Sequence, residues 1–316
     1  MERSIQLPRR QRLTALERRE ALAGYLFISP WIIGFVCFLV VPIALSLYAA
    51  FCDWVIIKPP PRWVGFENFV TMFTNDRFFW FSLGITFRYM VMVLPPSLVL
   101  GLALALLLNQ KSAGMNLFRT IFYVPAVVSG VAVSILWLSL LDPNLGAINT
   151  VLRSLGVANP PNWLNSATWA VPSVALMSLW GVGGSTILYL AGLQNIPPQL
   201  YEAAEIDGAS RWQQFWRITL PLLSPTIFFM VITGLISGFQ VFTPAYILGG
   251  GTKFWAARHL KFYLLHVYIK GFQEGRMGYA SALAWVLVII SAVVVTIVYT
   301  TSEQYVYYEE QARREV

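Results

Sequence analysis

Only 12% of the 316 residues are Asp, Glu, Lys or Arg, about half the share in a soluble domain. That shortage excludes a sizeable soluble domain. With 57% hydrophobic residues and a mean hydropathy of +0.62, the chain reads as an integral membrane protein. It has no G-x-x-x-x-G-K-[ST] phosphate loop, so it cannot itself be an ATPase. Histidine occurs twice, at His259 and His266. On one helix these would share a face but lie about 10 Å apart, too far for one ordinary ion, so no metal site is expected. No Ser-His-Asp set stands out, and no catalytic residue is assigned. The two cysteines, Cys37 and Cys52, read as positions on the first helix on the order of 22 Å apart, which excludes a disulfide. Apart from Arg88, the predicted spans hold almost no ionisable residue, whereas ion-coupled carriers need them. The net charge of +7 could suit nucleic acid. Many of the cations flank apolar segments, however, and orientation in a membrane explains them better.

What is present is a series of apolar runs. Residues 1–23 are basic, with Arg3, Arg9, Arg10, Arg12, Arg18 and Arg19. The run after them, Tyr25 to Phe51, is longer than a signal-peptide core of roughly 7–15 residues, so it reads as an uncleaved first span. Further spans are expected at about Ile85–Leu108, Leu117–Leu141, Thr168–Leu193, Leu222–Leu248 and Tyr279–Thr301. The fold class is therefore an all-α membrane protein with six transmembrane helices over residues 24–301. Both ends are expected in the cytoplasm, including the basic segment 1–23 and the tail 302–316. Lys and Arg divide almost evenly between the two sides, so orientation rests on the N-terminal arginines and on the loop at 194–220. Residues 52–84 and 142–166 read as outer loops, and 252–278 as an outer segment rich in cations and aromatics, in part re-entrant.

The loop 194–220 is polar between apolar neighbours. Pro197-Pro198 suits a helix start, and Glu202 and Glu205 suit its first turns. Ala203, Ala204 and Ile206 give an apolar side, and Gly208 breaks the helix. Ser210 with Gln213 reads as a capping box for a second short helix. The fifth span carries Thr233, Ser237, Gln240 and Thr243 on about one third of its circumference, with Phe239, Phe242 and Tyr246. The fourth holds Trp180, Gly181, Gly183 and Gly184, small residues that allow close helix approach. Gln and Ser both donate and accept hydrogen bonds, which suits a neutral, hydroxyl-rich ligand. Helix-to-helix bonding by the same groups is an equal alternative.

Glu202-Ala203-Ala204, then Gly208, Ile218, Leu220 and Pro221, resemble the EAA motif of ABC-importer permeases. Val64–Phe69, Arg119, Pro125, Ser129, Trp137, Gly146, Asn149 and Gly278–Ala282 resemble further positions of the maltose and glycerol-3-phosphate branch, over roughly residues 64–302. The resemblance implies that the EAA stretch is a cytoplasmic coupling helix, with Glu202, Ala203, Ala204, Asp207, Gly208 and Pro221 as its ATPase-coupling residues. It implies a substrate pathway near Trp180, Gly184, Thr233, Ser237, Phe239 and Gln240. It implies a second permease chain, an ABC ATPase dimer that holds ATP and Mg, an extracytoplasmic substrate-binding protein and membrane lipid as partners, with no cofactor in this chain. The expected place is a bacterial or archaeal cytoplasmic membrane, and the expected function alternating-access import of a sugar or oligosaccharide. The chain departs from the family where Thr252 stands in place of a Pro after the fifth span, and the next segment is longer and more basic. Cations near the entrance suit an anionic substrate such as glycerol-3-phosphate, which stays open as an alternative, as does an ion-coupled secondary carrier.

Overall fold

A bilayer crossing needs about 20 apolar residues in a helix, and that length divides this chain unevenly. The computed structural model describes residues 14–110, 112, 114–250 and 259–302. Among them, Arg18–Ala50, Arg77–Leu108, Arg211–Leu248 and Met277–Ser302 are each long and apolar enough to cross a membrane. Two bent helix pairs raise the number from four to six if each pair is one crossing. Thr252, the arginines before residue 14 and the tail beyond 302 lie outside the described residues.

Helix α1 (Ala15–Phe35) continues through a π turn, Val36–Val40, into α2 (Val41–Ala50). Pro42 is the second residue of α2 and cannot donate to the turn before it, where the wider π ladder is found. The segment between α2 and the next long helix, expected as an outer loop, is more ordered than its composition implies. Strands β1 (Cys52–Val55) and β2 (Lys58–Trp63) form an antiparallel hairpin with Cys52 opposite Trp63. Cys52 is thus buried on a strand, not on the first helix, and Cys37 is exposed; both are free thiols. Helix α3 (Glu67–Thr74) follows, and Asn68 Nδ2 donates to the carbonyls of Ala50 and Cys52, each at 2.9 Å. Helix α4 (Arg77–Leu108) starts at Arg77, well before the expected Ile85, because Asp76 caps it.

The third expected span is broken. Helices α5 (Met115–Val127) and α6 (Gly130–Leu140) meet at 93° across an extended Val128. Helix α7 (Ala147–Ser154) lies in the next loop. The fourth span is α8 (Ala170–Trp180) and α9 (Gly183–Gln194), bent by 46° at Gly181 and Val182. Gly183 lies so close to the Phe122 backbone that a Cβ has no room, which lets the bend rest on α5. Helices α10 (Pro198–Ile206) and α11 (Arg211–Gln214) and a second π turn, Phe215–Thr219, lead into α12 (Leu220–Phe239). A single helix to Leu248 was expected here. Instead Gln240 caps α12 and α13 (Thr243–Leu248) starts anew. Pro244, the second residue of α13, explains the break, since it has no N–H to give the Gln240 carbonyl and so cannot continue α12.

Helix α14 (Tyr263–Tyr268) and a π turn, Ile269–Gln273, precede α15 (Met277–Ser302). The main core gathers α2, α4, α8, α12, α14 and α15, with Phe79, Phe239, Tyr263 and Leu283 fully enclosed. A second core joins α4, α9 and α12 through Ala105, Tyr189, Leu193 and Leu223.

Candidate functional site

The stretch 197–221 forms an exposed helix, turn and helix. Pro198 is the first residue of α10, where a missing N–H does no harm. Gly208 follows with φ +77°, a left-handed conformation that favours glycine. A Cβ there would meet nothing within 4 Å, so the requirement for glycine is one of backbone conformation. The capping box is present: Ser210 N–H donates to Gln213 Oε1 at 2.7 Å, and Gln213 N–H to Ser210 Oγ at 3.4 Å. Glu202, Ala203, Glu205 and Asp207 are exposed, and Ala204 is half-buried. Ile206 is 87% exposed, so the apolar side of α10 points away from the rest of the chain. A cleft of about 340 Å³ lies beside the turn, lined by Ala204, Asp207, Gly208, Gln213, Arg217 and Ile218 among others. Tyr201 Oη and Thr219 Oγ1 share a hydrogen bond of 2.9 Å, which fastens α10 to the root of α12. Pro221 is the second residue of α12 and follows a π turn, as Pro42 does.

A groove of about 250 Å³ runs between α4, the α8–α9 bend and α12. It adjoins a smaller cavity of about 150 Å³, with which it shares Ser97, Gly234 and Ser237. Its polar lining is made of hydroxyls, from Ser97, Ser178, Ser185, Thr233 and Ser237. The Ser97, Ser185 and Thr233 hydroxyls donate to the carbonyls of Leu94, Val182 and Phe229 on their own helices, at 2.8, 2.7 and 2.8 Å. Tyr89, from the smaller cavity, bonds Ser178 at 2.8 Å. A hydroxyl whose proton is engaged still offers lone pairs, so the groove presents hydrogen-bond acceptors. None of its lining residues is charged.

A third cluster ties together the ends of three helices. Asp76 Oδ1 accepts the Phe78 N–H at 2.9 Å, while Oδ2 accepts from the Tyr279 hydroxyl at 2.7 Å and pairs with His266 Nε2 at 2.7 Å. One carboxylate thus joins α4, α14 and α15. Thr86 Oγ1 accepts the Tyr263 N–H at 3.0 Å, and the Tyr263 hydroxyl donates to the Leu283 carbonyl at 2.9 Å. The Lys261 ammonium sits 3.6 Å over the Phe78 ring. Burial alone would raise the Asp76 carboxyl, but hydrogen bonds from His266, Tyr279 and the Phe78 N–H hold it well below the carboxylate range. Burial holds the His266 imidazole below its ordinary value, against the pull of Asp76. A neutral ring then donates from Nε2, and Nδ1, fully enclosed, has no hydrogen-bond partner.

Of the residues expected on the pathway, Thr233 and Ser237 meet in the groove. Phe239 does not reach it; that ring is buried edge-on against Phe87 at 5.5 Å. Gln240, as the cap of α12, is exposed, and the expected face with Thr243 is interrupted. Trp180 stands edge to face with Trp137 at 6.4 Å, and Gly184 packs towards Ala126, so the bend contributes Gly181 and Val182 to the groove instead. Ser97, Ser178, Ser185 and Tyr89 join the expected residues in lining the groove and its adjoining cavity. The available signal was three serines in apolar runs, one directly after Pro95-Pro96 and two flanking the Trp180–Gly184 stretch. Arg88 is exposed on α4. His259 lies in a turn before α14, not on one helix with His266. Among the described residues no group of three His, Cys, Asp or Glu side chains could hold a metal ion.

Residues 97–305 match the model of the binding-protein-dependent transport system inner membrane component. The probable ABC transporter permease protein YesP of Bacillus subtilis (strain 168) is 41% identical, with 93% of this chain and 94% of that one covered. The trehalose/maltose transport system permease protein MalF of Thermococcus litoralis is 32% identical over 90% and 94%. Among solved structures, a bacterial ABC transporter involved in the import of the acidic polysaccharide alginate matches with a TM-score of 0.77 and 28% identity, over 91% of this chain and 96% of that one. The chain belongs to the family of binding-protein-dependent transport system inner membrane components, the permease subunits of ABC transporters.

Proposed function

We propose that this chain forms half of the pathway of an ATP-driven saccharide importer, together with a second permease chain, an ATPase dimer that holds ATP and Mg, and an extracytoplasmic binding protein. Both termini and the loop with α10 face the cytoplasm, and six crossings result when each bent pair counts as one. The observation that carries the reading is the continuous path from the exposed turn to the groove. Helix α10 is bonded to the root of α12 through Tyr201 and Thr219. Thr233, one wall of the groove, lies about 21 Å along the same helix. Movement of α10 against a partner therefore moves one wall of the groove as a rigid body. Glu202, Ala203, Ala204, Asp207 and Gly208 form the surface that docks on the ATPase, and Pro221 stands in the first turn of α12, between that surface and the groove.

The groove favours a neutral saccharide. Its acceptor hydroxyls match the O–H donors of a sugar, and it offers no cation to an anion. That weighs against glycerol-3-phosphate, and the family weighs against an ion-coupled carrier. The test is transport by the four-part complex in proteoliposomes. Gly208→Asp is expected to abolish ATP-driven uptake while the chain still assembles with its partner permease. Uptake that survives ATP depletion and collapses with an ionophore would sink the proposal.

A further inference from the structure

The helix entering α12 carries an aromatic and basic stripe that takes no part in the groove. Trp212 and Trp216 are 69% and 50% exposed, and their rings meet edge to face at 5.6 Å. Phe215 stacks beside Trp212 at 6.0 Å. Gln214, two residues from each tryptophan and so on the other side of the helix, is buried, and the tryptophan side faces outward. Arg211 and Arg217 flank the stripe, and both are exposed. Among the described residues no ion pair involves Arg211 or Arg217. This holds for Arg217 even though Asp207 lines the same cleft.

Depth identifies what the stripe meets. Helix α12 has 20 apolar-rich residues, Leu220–Phe239, which at about 1.5 Å each span roughly the 30 Å of a hydrocarbon core. Trp216 is then about one turn before the hydrocarbon and Trp212 about two. That is headgroup level, where tryptophan concentrates. Arginine at that level attracts anionic headgroups, and its planar fork matches phosphate oxygens.

We propose that Arg211, Trp212, Trp216 and Arg217 form a site for an anionic phospholipid headgroup. The guanidinium groups hold the lipid phosphate, and the two indoles lie among the headgroups, with Trp216 nearer the acyl boundary. Bound lipid fixes the root of α12, the point where Tyr201 meets Thr219. The proposal needs only the depth of α12, so it stands or falls apart from the coupling reading.

The test uses the assembled complex in phosphatidylcholine nanodiscs, doped at equal mole fraction with brominated phosphatidylglycerol or brominated phosphatidylcholine. Bromine quenches nearby tryptophan. The anionic lipid is expected to quench more strongly, with local enrichment on the order of tenfold at low salt that falls as salt rises. W212F/W216F should remove the strongly quenched component, and R211Q/R217Q should bring the two lipids level. Equal quenching by both lipids in the unaltered complex overturns the proposal without any variant. So does an excess that persists in R211Q/R217Q. If the stripe instead docks on the ATPase, R211Q/R217Q will weaken ATPase retention with no lipid preference to lose, which also overturns it.

Discussion

The turn at Gly208 is held by residues three apart, Ser210 and Gln213, whereas the cluster at Asp76 joins partners 190 and 203 positions away. The first is exposed on nearly every side; the second is buried. Local hydrogen bonds shape the turn as a unit, and the bond from Tyr201 to Thr219 ties it to the root of α12. The Asp76 cluster has the opposite character, because it locks three helices at one carboxylate. A permease driven from one side needs both: a part that takes up movement, and a rigid opposite end against which α12 can tilt.

The comparison is broken most strongly at Asp76. Asp76→Ala removes the cap of α4 and strands His266 Nε2 and the Tyr279 hydroxyl in the core. Losing the cap and leaving two buried polar groups unpaired is expected to cost about 3–5 kcal/mol, read as a large drop in thermal stability of the detergent-solubilised chain. Glu202→Ala on the exposed turn should leave that stability unchanged and lower substrate-stimulated ATP hydrolysis in the assembled complex. If the two variants exchanged phenotypes, the division between rigid end and moving end would be wrong.

Gly208→Val ranks next. A β-branched residue at φ +77° costs on the order of 1–2 kcal/mol locally, with no clash to add. Folding should survive in a melting assay while ATP-driven uptake falls at least tenfold. Gly208→Asn, which tolerates left-handed geometry better, should keep more uptake than Gly208→Val.

Acid sharpens the contrast. His266 has a folded pKa below its unfolded value of about 6.5, so the unfolded chain binds that proton more readily. Its contribution to stability is full above about pH 6.5 and is lost as pH falls. Asp76 is also lowered, so its share is present above about pH 4 and disappears below that. Melting temperature should therefore decline from about pH 7 to pH 5, and His266→Gln should flatten the decline. A decline of equal steepness in His266→Gln would mean that other groups titrate in this window.

The turn was legible in the sequence because the interactions that shape it are local. Pro198, Gly208 and the Ser210–Gln213 box act within a few residues, so spacing alone reveals them. The positions of the long apolar helices were legible as well, because burial in lipid requires a run of fixed length. The breaks were less so. Pro244 stood in view, yet its effect on Gln240 went unread because the polar spacing of Thr233, Ser237 and Gln240 pointed to one continuous helix. The Asp76 cluster carried no local signal at all. Asp76 and His266 read as polar residues of outer segments, and only the packing of α14 between α4 and α15 brings them together. The groove lies between these cases: Thr233 and Ser237 stood out, but Ser97, Ser178 and Ser185 join them from helices remote in the chain.

The groove also yields the smallest expected change in stability. Thr233→Val keeps the shape of the side chain and deletes a hydroxyl that donates to its own helix at Phe229. Replacing a back-bonded threonine costs little, because the Phe229 carbonyl keeps its helical partner. The melting temperature should stay within about 1 kcal/mol equivalent of the unaltered chain. Transport is where the variant should differ, through loss of an acceptor facing a sugar hydroxyl, worth about 0.5–1.5 kcal/mol or roughly two- to tenfold in apparent affinity. Uptake measured against sugar concentration separates the outcomes. A raised half-saturation concentration with unchanged maximal rate places Thr233 in contact with substrate. An unchanged curve means that its hydroxyl serves the helix alone, and the neutral-saccharide reading of the groove would lose its best-placed residue.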